Sequence, residues 1–364
     1  MAEKIVLDSA IKFGAGRYRQ GMDILEQCGE EIARFGKHVM IVAGPRAWAA
    51  AKDRLLPSIQ AAGLTYVVEL YEGTCCYENA LLYSAKCNAA GCDEVVGVGG
   101  GKIMDFSKAV AEYAGVGTVN IPTSMSTCAP FTCMSVMYTL EGAKKDCWRY
   151  SHELDAVLVD TKILSECPIR YNAAGILDAM AKKIEIMNGK PALYLEDTKI
   201  DLFSAFSMAQ YTYEALEKFG PVAIEDNRQH KVTKALEDVA FLNIPITGTI
   251  ANITQSFSQS AIAHSFYDAV ITYFPLESKG ALHGEIVAVG LFIQLYYNRL
   301  PGDEAALRDF MKGMDMPLSL DECGVPSTDE NLAKLEAYLI DSPYVAKTED
   351  SYRILHEAME RVRA

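Results

Sequence analysis

The chain has 364 residues, half of them hydrophobic and 23% charged, with a formal net charge of -14. That length allows two domains at ~100–200 residues each and a large buried core. The acidic balance, with no basic block, excludes a nucleic-acid surface, because phosphate contacts need clustered Lys and Arg, and no apolar run reaches the ~20 residues that span a bilayer.

The N-terminal stretch MAEKIVLDSAIKF carries no apolar signal segment. HVMIVAG (His38–Gly44) reads as a buried strand, followed by a helical stretch from Arg46 to about Ala62. YVVEL (Tyr66–Leu70) is a second strand, with a helix from about Tyr77 to Ala90. EVVGV (Glu94–Val98) is a third, with a helix from Lys102 to Ala114. GTVNIP (Gly117–Pro122) and AVLVD (Ala156–Asp160) complete the set, and the segment between them reads as a hairpin turning near Glu141–Gly142. Short β-branched runs separated by helices imply βαβ units and a parallel sheet. After Pro168 strand-like runs almost vanish, and apolar-periodic stretches predict helices over about 173–188, 200–218, 228–242, 259–273, 284–299, 328–340 and 349–362. The expected division is an α/β dinucleotide-binding domain over residues 1–161 and an all-α domain over 162–364. A ligand cleft is expected between them.

Gly99, Gly100 and Gly101 stand between the third strand and its helix. Glycine lets backbone N–H groups approach an anion, and a helix start offers unpaired donors and partial positive charge. Lys102 adds a cation. The stretch fits neither GxGxxG nor a Walker motif. By itself it suggests a phosphate or nucleotide, or a tight turn with no ligand. Ten cysteines show no CxxC pair at zinc spacing. They read as buried or free thiols in a reducing cytoplasm.

GVGGGKIMDFSKAVA followed by IPTSMSTCAPFTCMSVMY resembles the glycerol dehydrogenase branch of the iron-containing alcohol dehydrogenases, which share a fold with dehydroquinate synthase. LVDTKILSECPIRYNAAGILDAMAKKIE, AIAHSF and ALHGEIVAVG agree with it in order and approximate spacing. The resemblance covers roughly residues 30–300. It implies an oxidoreductase acting on CH–OH groups, a divalent metal (zinc or iron) in the cleft, a small-molecule substrate and a homo-oligomer. It further implies that Gly101 and Lys102 contact the cofactor's pyrophosphate and that Gly99, Gly100 and Asp105 of the same motif belong to the cofactor site. Thr123, Ser126, Thr132, Met134 and Tyr138 fall on the nicotinamide side, and Asp178, His264 and His283 fall on the metal ligands. Taken alone, these three read as an acid in a helix's first turn, a satisfied core histidine and a loop residue. Together, one carboxylate and two imidazoles leave open coordination positions, as a Lewis-acid site requires.

Three departures shape the expected specificity. Gly44 stands where NAD-using members carry an Asp for the ribose hydroxyls, and Arg46 follows. A guanidinium matches a 2′-phosphate, so NADP(H) is expected, with NAD(H) as the alternative. Cys128 replaces the Asp that helps bind glycerol, as in the hydroxycarboxylate dehydrogenase subgroup, so a 2-oxo or 2-hydroxy acid is expected over a polyol. Arg149 and Lys102 are candidates by charge to hold its carboxylate. Tyr267 stands where members often carry a second His, which puts the proton relay in question. A polyol dehydrogenase, a sugar-phosphate cyclase and a non-catalytic nucleotide-binding protein are the rival readings.

Overall fold

Five expected strands and one unexpected strand build the sheet. The computed structural model describes residues 10–255 and 258–363; the first nine residues, where most of the expected signal-free N-terminus falls, lie outside the described residues. The strands are β1 (Arg17–Gly21), β2 (His38–Ala43), β3 (Thr65–Leu70), β4 (Glu94–Gly99), β5 (Gly117–Pro122), β6 (Met134–Tyr138), β7 (Lys144–Arg149) and β8 (Ala156–Asp160). Among the described residues, six of them form one sheet in the order β1-β8-β5-β4-β2-β3, and every pairing is parallel. β4 is buried at every position, as a central parallel strand covered on both faces must be. β1 has no apolar run; its sequence is RYRQG, and it is held at the sheet edge by register with β8, Arg17 opposite Ala156. β6 and β7 form the expected antiparallel hairpin.

Helices α1 (Pro45–Ala61), α2 (Tyr77–Ala90) and α3 (Gly101–Ala114) follow β2, β3 and β4. Beyond the sheet come α4 (Ile169–Ile186), α5 (Ile200–Arg228), α6 (Lys234–Phe241), α7 (Ile262–Tyr273), α8 (His283–Tyr297), α9 (Asp303–Gly313), α10 (Asp329–Asp341) and α11 (Glu349–Met359). Two expectations need correction. The stretch expected to break near residue 218 runs on through Pro221 to Arg228, and α6 is shorter than expected, passing into a π-helical turn at Leu242–Ile246 that contains Pro245. Proline lacks an N–H and crowds the preceding turn, which a wider turn relieves. α9 was not foreseen; it has few apolar residues, and only Glu304, Leu307 and Met311 are buried.

Sheet and helices share one core. Val157 and Leu158 of β8 belong to the same buried cluster as Ile176 and Leu177 of α4 and Val287 and Leu291 of α8. Two glycines allow the approach that positions the cleft. A Cβ on Gly175 would lie 1.9 Å from the Met125 carbonyl oxygen, and one on Gly284 would lie 2.2 Å from that of Ala174. The loop after β5 therefore rests directly on α4, and α8 directly against it. Gly175→Ala is expected to lose ~1–3 kcal/mol by overpacking, against a helix-propensity gain of under ~1 kcal/mol. A melting temperature at or above that of the unchanged protein would refute this contact.

At the opposite, N-terminal edge of the sheet, Glu94 is buried and its Oε1 has no hydrogen-bond partner among the described residues. Burial, then the charges of Asp155 and Asp93, push its carboxyl up to about 9. The folded protein thus holds this proton more tightly than the unfolded chain does. The associated stability is present below pH 4.5 and is lost as pH rises toward about 9. Glu94→Gln, neutral at every pH, should melt at least ~2 °C higher than the unchanged protein at pH 8, with the gap closing by pH 5. Equal thermal melting curves at pH 8 would contradict the assignment.

Candidate active site

Parallel strands present their C-terminal ends to a groove, and the connections diverge between β2 and β4, the kind of switch point where open α/β sheets bind ligands. Gly44 follows β2, and Gly99–Gly101 joins β4 to α3. A cavity of about 510 Å³ there is lined by Gly44, Arg46, Gly100, Gly101, Thr123 and Ser126, with neighbouring residues. Gly100 precedes the helix, and no side chain caps it, so the first N–H groups of α3 remain available to an anion. Arg46 is the second residue of α1. A Cβ on Gly44 would meet only ordinary contacts, the nearest being Ile103 at 3.6 Å. Packing therefore does not demand glycine at this position.

A second cavity, of about 780 Å³, shares Glu72, Gly101 and Lys102 with the first and reaches Cys128, Thr132, Met134, Tyr138 and the helices. On its wall Asp178, His264 and His283 each present one ligand atom, all within 4.8 Å of one another. Asp178 is the tenth residue of α4, not an acid of a helix's first turn as read in isolation, so the helix dipole does not account for it. His264 lies in the first turn of α7 and His283 opens α8 rather than sitting in a loop.

The electrostatics of this cluster are specific. Asp178 Oδ1 lies 3.3 Å from His264 Nε2, 3.6 Å from His283 Nε2 and 3.2 Å from Lys182 Nζ. Burial alone would raise the Asp178 carboxyl; Lys182 and the two histidines hold it well below its ordinary value. His264 Nδ1 donates to Glu185 Oε2, while Glu185 Oε1 accepts from the backbone of Ala261 at 2.7 Å and of His264 at 2.9 Å. That bond sets the tautomer and leaves Nε2 as an acceptor, which faces Lys182 Nζ at 3.1 Å. Against its burial, the charge of Glu185 pulls the His264 pKa up, so a cation would bind there in competition with a proton. A buried carboxylate behind an imidazole is the usual support for a metal-binding histidine. Burial pushes His283 down, against the pull of Asp178, and so favours its neutral form. Deprotonated acid and neutral imidazole are the forms that coordinate a cation.

Lys108 organises the neighbouring loop. Its Nζ is buried, pairs with Asp105 Oδ1 at 2.9 Å and donates to the carbonyls of Ala129 at 2.8 Å, Thr132 at 3.0 Å and Met134. The other Asp105 oxygen accepts from the Val136 N–H at 3.1 Å. Asp105, expected among the cofactor contacts, thus borders the cavity while spending its oxygens on the scaffold of β6. Cys128 stands in the cavity wall, its thiol pushed up to about 12 by burial, which keeps it neutral. Tyr267 packs edge-on against the His283 ring, with centroids 4.3 Å apart, and shares a hydrogen bond with Tyr138. Lys102 donates to the Glu72 carbonyl at 3.1 Å, and Arg149 donates to that of Gln255. Lys182, Glu185 and Lys108 were not singled out in the sequence. Lys182 and Glu185 lie four and seven residues beyond Asp178, on its helix face, and that spacing was the readable signal.

The family model for iron-containing alcohol dehydrogenases matches residues 15–161. The chain is 31% identical over 291 residues to a glycerol dehydrogenase of Escherichia coli, covering 79% of this chain and 77% of that one. It is 30% identical over 255 residues to hydroxycarboxylate dehydrogenase A of the same species, covering 70% of this chain and 68% of the relative. The crystal structure of a probable glycerol dehydrogenase from Sinorhizobium meliloti shares the fold, with a TM-score of 0.82 at 24% identity over 97% of this chain and 98% of that one. By its sequence, its fold and the order of its motifs, the chain belongs to the iron-containing alcohol dehydrogenase family, dehydrogenases that act on CH–OH groups.

Proposed function

We propose that the chain moves a hydride between NADP(H) and a small alcohol or carbonyl that carries a second oxygen beside the reacting one. In this reading Asp178, His264 and His283 hold a divalent cation. The observation that carries it is the convergence of these three side chains, drawn from α4, α7 and α8, on the cavity that also contains Gly101 and Lys102. The donor set suits the group: one ionised carboxylate and two imidazoles, one of them oriented by Glu185, with open positions left for substrate. Such a cation, when bound, would supply Lewis-acid polarisation of a carbonyl oxygen. Gly101 and the start of α3 hold the cofactor's phosphates, and the Lys108-braced loop aligns the nicotinamide toward the cation site. Tyr267 steadies His283 and, through Tyr138, links it to the cavity wall; its phenol is a weak base at neutral pH.

Likeness to glycerol dehydrogenases supports a polyol as substrate. One feature favours a second reading, a 2-hydroxy or 2-oxo acid: the neutral Cys128 leaves no carboxylate at that wall to repel an anion. The test is a panel of glycerol, dihydroxyacetone and 2-oxo acids with each coenzyme, before and after chelation. Turnover should fall at least ~100-fold on metal removal and return with zinc or ferrous ion. No turnover of any of these, or full activity after chelation, defeats the proposal.

Arg46 and the bare Gly44 position support NADP(H). Arg46→Ala should lower kcat/KM for NADPH about 10–100-fold, the equivalent of one charged hydrogen bond, and leave NADH nearly unchanged. Gly44→Asp should move the preference toward NADH. A native preference for NADH would dispose of the assignment.

A further inference from the structure

Four cationic side chains line the larger cavity: Lys102, Lys144, Arg149 and Lys182. Three are engaged away from the centre. Lys102 holds the Glu72 carbonyl, Lys144 pairs with Asp268, and Arg149 donates to the Gln255 carbonyl. Lys182 differs. Its Nζ lies 3.2 Å from Asp178 Oδ1 and 3.1 Å from His264 Nε2, and its side chain is only 3% exposed. These acceptors are two of the three atoms offered to the metal ion. A bound cation therefore takes the acceptors that Lys182 now uses, and the ammonium then needs new ones within the cavity.

The charge count points the same way. The buried groups of the centre are the carboxylates of Asp178 and Glu185 and the ammonium of Lys182. With neutral imidazoles and a divalent cation, one positive charge is left over. Without Lys182 the loaded centre would be neutral. An uncompensated buried charge is costly, and a substrate anion removes that cost. Glycerol cannot supply one, and Cys128, close enough to Lys182 to feel its charge, is a neutral thiol.

We propose that Lys182 is a specificity-determining residue that selects substrates with a carboxylate next to the reacting carbon. The assignment rests on the metal-dependent dehydrogenase reading above. A single surplus charge matches a monoanionic carboxylate better than a dianionic phosphate ester. Of the other three cations, Lys144 is paired with Asp268, and the Glu72 and Gln255 carbonyls hold Lys102 and Arg149 in place.

The experiment uses full-length protein loaded with zinc and NADPH. Calorimetry measures binding of oxamate, an unreactive 2-oxo acid analogue, beside glycerol and glycerol phosphate. Lys182→Met removes the charge, Lys182→Gln keeps a donor without it, and Lys182→Arg restores it. Zinc affinity is measured for each variant. The expected result is oxamate binding by the unchanged protein, weakened about 10–100-fold in the Met and Gln variants and regained in part by Arg. Zinc should bind those two variants as tightly as the unchanged protein or more so, because a competing cation has gone. The proposal is overturned if the Gln variant holds zinc and binds oxamate undiminished, if removing the charge costs zinc affinity, or if glycerol phosphate outbinds oxamate. Should the protein bind oxamate through Lys182 yet turn over no alcohol or carbonyl, the dehydrogenase reading fails and the anion site stands.

Discussion

A carboxylate at Asp178 with almost no exposure to water can stay ionised only if positive charge faces it. That requirement organises the centre of this molecule. Water would stabilise an exposed carboxylate without help, but in the interior the desolvation cost is several kcal/mol and compensation must be built in. Here it comes chiefly from the ammonium of Lys182 one helical turn away, with the two imidazoles on other helices packed within 3.6 Å of the same oxygen. Glu185, on the same face of α4, fixes one of those imidazoles through its far nitrogen. α4 therefore contributes an acid, a base and a second acid at successive turns, and α7 and α8 must dock at the angles that complete the set.

Such docking needs backbones closer than ordinary side chains allow. Gly284 lets the first turn of α8 lie on the Ala174 carbonyl, and Gly175 lets α4 meet the loop after β5. That loop carries Cys128 and leads into the segment braced by Lys108. One chain of contacts thus joins the helix bearing Asp178 to the strand ends that flank the smaller cavity. The distance between the Asp178–His264–His283 cluster and that cavity is set by packed backbone, which deforms little.

Much of this was legible in the residues. The alternation of β-branched runs with helical stretches specified the parallel strands, and the turn after β4 lines a cavity at the strand ends. What escaped had physical causes. β1 lacks an apolar period because it is an edge strand made mostly of arginine, tyrosine and glutamine. α9 buries few residues, so its periodicity is weak. Asp178, taken by itself, reads as an acid at a helix start because its apolar flanks do not reveal that the helix already begins at Ile169. Lys182 carried a one-turn spacing signal, but lysine four residues after an acid is so common on exposed helices that only burial gives the pair its meaning. Gly175 and Gly284 gave no signal, since the atoms that crowd them belong to other segments.

The chain as a whole carries a charge of -14, which at first sight disfavours an anionic substrate. Distance and screening decide otherwise. Exposed charges are damped beyond ~8 Å at physiological salt, whereas buried ones are damped far less. The acidic surface therefore slows encounter with an anion and adds a salt dependence to its rate. In the proposed reading affinity is settled within the cavity, where the charges lie within a few ångströms of one another. The same contrast bears on Arg46: at the open end of the groove it meets solvent, and its contribution rests on the geometry of a bidentate fork more than on field strength. In the proposed reading the two cations, which line different cavities, act by different physics: Arg46 by the shape of its fork, and Lys182, packed among acids and imidazoles, by its charge.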